Sequence, residues 1–194
     1  MDQEAIRQGV ACSLPMISEI KSKELRNQVL DAWTLALSKN GYTRIEEIEG
    51  SGKPGGYTVG NQAQHILCVT RIALALAEII EKSYGKNMNI DRDMLLTAGL
   101  CHDVGKPYEY NREKQKEWRE APEQCGNPAL RHTLYGVYVA LAVGLPEEIA
   151  HVCGCHSPEG ELVQRSLLAT IIHHADKAAW RILGCHDRWI FPAV

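Results

Sequence analysis

No apolar run in this chain reaches about 18 residues, the length a membrane-spanning helix needs, so no span is expected. The opening MDQEAIRQGV is polar where a signal peptide would be apolar, and the expectation is a cytoplasmic protein. Basic residues hold no excess: 21 Lys and Arg stand against 24 Asp and Glu. A net charge of −3 gives no pull toward a nucleic-acid polymer or an anionic membrane. The seven cysteines fall in no recurring disulfide spacing, and Cys153-x-Cys155 beside His156 has no second pair to complete a zinc finger. They read as small core residues in a reducing compartment, with Cys68 and Cys101 inside apolar helical patterns. A phosphate-binding loop is also missing. The stretch GSGKP lacks the first glycine at the required distance and the Ser or Thr after its lysine. Internal repeats are absent.

What is present is helical periodicity. At 45% hydrophobic and 23% charged, the 194 residues suit one domain with a small extension. Ile20, Val29, Trp33 and Leu37 form a stripe that predicts a helix over 18–39, ended by Asn40-Gly41. Residues 42–60, broken by Gly50, Gly52, Pro54, Gly55, Gly56 and Gly60, predict a loop or lid. Further helices are expected over 61–84, 92–104 (capped by Asp91), 131–143, 147–155 and 162–183, the last stopped by Gly184. Residues 106–128 read as polar and irregular. The fold class is therefore all-α. The 42–60 loop divides an N-terminal helical extension, 1–59, from the main bundle, 60–194.

The segment LLTAGLCHDVGKPYEY poses the chemical question. An apolar helix ends in His102-Asp103, and a buried carboxylate is costly without a partner. A divalent cation is the natural one, because imidazole and carboxylate are ligands of first-row metals and helix bundles build such sites from inward side chains. Neighbours on a helix diverge by about 100°, so His102 and Asp103 converge only at the helix mouth. The chain has eight histidines, and most fall inside or at the ends of the predicted helices.

The order His65 … His102-Asp103 … Asp176 resembles the HD-domain metallohydrolases. AGLCHDVGK matches that family's central motif, and LLATIIHHADKAAW matches the segment that supplies its last aspartate. The likeness covers about residues 60–183. It implies an all-α bundle with His65, His102, Asp103 and Asp176 as metal ligands. His132 and His156, placed between Asp103 and Asp176, match the two-metal pattern. Asp103 would then bridge, with His65, His102 and Asp176 on one ion and His132 and His156 on the other. Ser157, where some relatives carry a further histidine, argues against a third metal and against the cyclic-di-GMP phosphodiesterase subgroup. The implied cofactors are divalent ions among Fe, Mn, Mg, Ni and Zn, with iron favoured.

Asp103 and Lys106 are the catalytic candidates, and Lys106 and Arg131 the substrate-binding ones. Lys106 either satisfies carbonyls at the helix end or, as the family motif implies, meets a substrate phosphate. The remaining charges of 106–131 balance and predict a solvated surface, with Tyr108, Tyr110 and Trp118 lining a pocket or anchoring the loop. His151 rivals His156, His173 is placed either to orient a ligand or to serve as a plain core or surface residue, and His186-Asp187 is a decoy beyond Gly184. The implied activity is metal-dependent hydrolysis of a small phosphoester or nucleotide. Two other activities share the ligand order: a mixed-valent di-iron oxygenase and a nucleotide-binding regulatory domain. No oligomeric state is legible.

Overall fold

The computed structural model describes residues 2–50, 59–85 and 88–190, with backbone alone for 185–190. The centre of the predicted 42–60 lid, residues 51–58, lies outside the described residues, as does the side chain of His186. Among the described residues there is no strand, only an isolated bridge between Glu49 and Asn61.

Two helices come first. α1 (Gln3–Ser13) starts on Asp2, whose carboxylate accepts from the Glu4 and Ala5 N–H groups, and it buries Ile6 and Val10. A 3₁₀ turn over Pro15–Glu19 precedes α2 (Lys23–Lys39), which Ser22 caps. The helix predicted from residue 18 thus begins at 23: the 3₁₀ turn and the serine cap interrupt it. Val29, Ala32, Trp33, Ala36 and Leu37 are fully buried in the one hydrophobic core, and Trp33 Nε1 donates to Leu100 O at 2.8 Å. Asp93 accepts from the Lys21 and Ser22 amides at 3.0 and 2.8 Å, tying the start of α2 to the helix that carries His102.

α3 (Gln62–Tyr84) opens with a capping box, Asn61 with Gln64, and ends at Gly85 in the left-handed conformation. By length and composition this helix could cross a membrane, with a mean hydropathy of 1.5 over its best window. Its buried side, however, carries Gln62, His65 and Thr70, and it packs on α4 (Arg92–Cys101) and α10 (Leu167–Ile190). Polar groups turned inward mark a core helix with a site. Cys68, expected inside the core, lies exposed, one position round the helix from buried Val69.

The stretch expected to be irregular folds into α5 (Lys106–Glu109), α6 (Arg112–Glu120) and α7 (Pro122–Cys125). α8 (His132–Ala142) and α9 (Glu147–Cys155) pack against each other, and α9 also contacts α4 and α10. The last helix differs from expectation at both ends. Pro158–Leu162 is a 3₁₀ turn, and Gly184 does not stop α10. A single glycine costs a helix interior about 1 kcal/mol, too little to terminate one.

Candidate metal centre

Three helices and two helix ends deliver the donors. His65 sits one turn into α3 and Asp176 in α10. His102 and Asp103 follow the last turn of α4, His132 is the first residue of α8, and His156 caps the end of α9. All six are buried or nearly so; Asp176, with 17% of its side chain exposed, is the most open.

Asp103 stands in the middle with its two oxygens facing different ways. Oδ2 lies 3.4 Å from His65 Nε2 and 3.7 Å from His102 Nε2. Oδ1 lies 3.3 Å from His132 Nε2 and 3.4 Å from His156 Nε2. His65 Nε2 is also 3.2 Å from Asp176 Oδ1. The donors thus form two triads, His65 with His102 and Asp176, and Asp103 with His132 and His156.

The imidazoles are pre-set. His102 Nδ1 donates to Gly99 O at 2.7 Å, and His156 Nδ1 to Val152 O and Cys153 O at 3.1 and 3.0 Å. His132 Nδ1 makes a short contact with Glu109. A carbonyl or carboxylate can only accept, so Nδ1 bears the proton and each Nε2 presents a lone pair to the centre. With His65 neutral, His65 Nε2, His102 Nε2, Asp103 Oδ1 and Asp176 Oδ1 are buried without a hydrogen-bond partner. Native proteins rarely strand four such atoms together. Divalent cations would satisfy them, and the donor types fit such ions.

Electrostatics agree. Burial pushes the His102 imidazole down to about 4, so it is neutral and ready to ligate. Burial alone would raise the Asp103 carboxyl, yet Lys106 and the surrounding imidazoles hold it well below the usual range. Lys106 is itself 3% exposed, with Nζ 5.7 Å from the Tyr110 ring centre, inside the fold rather than at a wet helix end.

His65 is pulled two ways. Burial lowers it, but its carboxylate partners Asp103 and Asp176 outweigh burial and raise it to about 9. In the metal-free protein the folded value exceeds the unfolded one, about 6.5. Its contribution to stability is therefore complete below pH ~6.5 and lost as pH rises through about 9. A cation held at His65 Nε2 would displace that proton. Loading near pH 7 should release about one proton per chain and tighten as the pH is raised toward 9. Calorimetry in buffers of different ionisation enthalpy measures this, and a heat independent of buffer would contradict it.

The other candidates separate. His151 lies outside both triads: its Nε2 accepts from the Ser166 amide at 3.1 Å, and its Nδ1 is 3.6 Å from Cys155 Sγ. His173 Nδ1 donates to His156 O at 2.6 Å and so steadies the residue that ends α9. Arg131 places Nη1 on Glu109 at 3.0 Å and Nε on Glu159 at 2.9 Å. The expectation of solvated charges over 106–131 fails at Glu109, which is buried, while Tyr110 and Trp118 are buried too, as pocket-lining or anchoring side chains would be.

Three residues to which the sequence assigned no role touch the donors. Gln62 Nε2 donates to Asp103 Oδ2 at 2.7 Å. It precedes His65 by three positions and shares its helix face, a spacing that could have flagged it. Glu109 holds His132 and follows Lys106 by three positions, but among so many neighbouring charges nothing singled it out. Trp180 stacks on His65 with ring centres 4.8 Å apart.

An all-helical bundle that buries two neighbouring His/Asp triads belongs to the class of divalent-metal enzymes. The family model for the HD domain matches residues 63–181, and the chain belongs to that family. The dihydroneopterin 2',3'-cyclic phosphate phosphodiesterase of Methanocaldococcus jannaschii is 27% identical over 202 residues, spanning 93% of this chain and 78% of the relative. No solved structure matches the chain. The protein is a metal-dependent phosphohydrolase of the HD type.

Proposed function

We propose that this chain hydrolyses a small cyclic phosphodiester, of the 2',3'-cyclic phosphate class on which its relative acts, with two divalent cations held by the two triads. The observation that carries the two-ion reading is Asp103, each of whose oxygens faces its own pair of imidazole Nε2 atoms. His65, His102 and Asp176 would hold one ion, His132 and His156 the other, with Asp103 between them. Such ions, once bound, supply an acidified water and Lewis-acid contacts to phosphoryl oxygens. Iron is the favoured metal for a histidine-rich set with carboxylates, ahead of Mn, Mg, Ni or Zn.

The chain's own groups do the rest. Gln62 fixes the rotation of the Asp103 carboxylate through Oδ2. Lys106, a buried cation close enough to depress Asp103, offsets charge that develops on the phosphoryl oxygens. Arg131, already held by Glu109 and Glu159, is assigned to orienting Glu109 rather than to binding substrate. The product is the phosphomonoester, one P–O bond of the ring being replaced by the oxygen of water. The name of the relative favours hydrolysis over di-iron oxygenation or nucleotide sensing.

The test is a panel of 2',3'-cyclic phosphates, of nucleosides and of pterin triols, set beside p-nitrophenyl phosphate, with the metal stripped and then restored as Fe²⁺ or Mn²⁺. Metal-dependent opening of the cyclic diesters is expected. Turnover of the monoester with the cyclic diesters untouched would refute the substrate class.

A further inference from the structure

Glu109 is not one of the six donors, yet its carboxylate is as deeply placed as theirs, at 2% exposure. Both oxygens are engaged. Oε2 accepts from the His132 backbone N–H at 3.0 Å and makes the short contact with His132 Nδ1. Oε1 accepts from Arg131 Nη1 at 3.0 Å, and Arg131 is anchored in turn on Glu159 through Nε at 2.9 Å. A carboxylate in this position fixes the ring's tautomer and its rotation, leaving Nε2 aimed at Asp103 Oδ1 from 3.3 Å. His102 and His156 are oriented only by main-chain carbonyls, which carry no net charge. The two triads are therefore supported unequally: the one containing His132 rests on an anion, itself braced by an arginine.

We infer that Glu109 is a positioning residue for His132 and sets how tightly the second cation, the one between Asp103, His132 and His156, is held. The inference deepens the two-cation reading and rests on it. An anionic partner at Nδ1 makes Nε2 a stronger donor and holds its direction. Loss of such a partner costs roughly 10–100-fold in metal affinity. The effect should be selective, because Glu109 touches neither His65, His102 nor Asp176.

The experiment titrates Mn²⁺ into metal-free wild-type protein, Glu109→Gln and Glu109→Ala. It counts ions per chain by atomic spectroscopy and follows spin coupling between paired Mn²⁺ by electron paramagnetic resonance. Wild type should take two coupled ions. Glu109→Gln keeps an acceptor and loses the charge, so its second ion should bind about 10-fold more weakly, and in Glu109→Ala up to ~100-fold more weakly, with the first ion unchanged. If the alanine variant does not fold, the near-isosteric glutamine variant carries the test. Unchanged affinity for both ions in the variants would overturn the inference while leaving the two-ion reading intact. Equal weakening of both ions would assign Glu109 a merely structural role and overturn it too. A single ion in wild type would instead bring down the two-ion reading, and this inference with it.

Discussion

Asp103→Ala should abolish hydrolysis and strip the protein of at least one ion. The carboxylate is the only donor that faces both triads, so its loss removes an anionic ligand from each at once. The remaining cluster, four imidazoles with Asp176, holds a single negative charge. Losing one preorganised charged group at a reacting centre commonly costs about 10²–10³ in rate. A group shared by both ions should exceed that range. Asp103→Asn separates charge from shape: the amide keeps the volume and an oxygen, and so spares the packing around Gln62 and His102. It should still be inactive, because a neutral oxygen does not offset two dications. Turnover of a cyclic phosphodiester and metal content per chain measure the two effects. An Asn variant with more than a tenth of wild-type activity would show that Asp103 is no bridge.

The six residues that cluster were legible because their order, with the AGLCHDVGK and LLATIIHHADKAAW segments, resembles that of the HD-domain family, and such an order is a one-dimensional signature. The helices with a sharp apolar stripe and a capping residue, α3 and α4 above all, were equally readable. α6 was not, since REKQKEWRE buries only Trp118 and offers no stripe; its start is set by the Asn111 side chain accepting from the Lys114 amide. α1 escaped notice because Ile6 and Val10 make a short stripe that means little until α2 covers it. Gln62 and Glu109 escaped for a deeper reason. Their roles consist in which side chain lies across from them, and a glutamine or a glutamate carries no local mark of having a partner far off in the chain. Arg131 illustrates the same limit: adjacency to His132 pointed to the site, while only the structure reveals the two carboxylates that hold it.

Gly105→Ala should damage stability and chemistry together. The backbone there is ordinary, with φ −82°, so conformational freedom is not the reason for glycine. Space is. A Cβ would lie 1.9 Å from His132 O and 2.7 Å from Gly136 N. Both are main-chain atoms of α8 and cannot rotate aside, so the helix itself must retreat. Overpacking of this kind costs about 1–3 kcal/mol. In a chain of this size that lowers Tm by roughly 2–4 °C per kcal/mol. Because His132 is the first residue of α8, the same retreat carries Nε2 away from Asp103 Oδ1, and a displacement of about 1 Å at a reacting centre can cost 10²-fold. Gly184→Ala is the control. It lies within α10, where an added Cβ meets nothing among the described residues, and should stabilise by about 0.5–1 kcal/mol without touching turnover. Thermal melts with parallel activity assays compare the two. If Gly105→Ala melted and turned over like wild type, the glycine of the HD-x-G-K segment would not be what lets the start of α8 approach the metal centre.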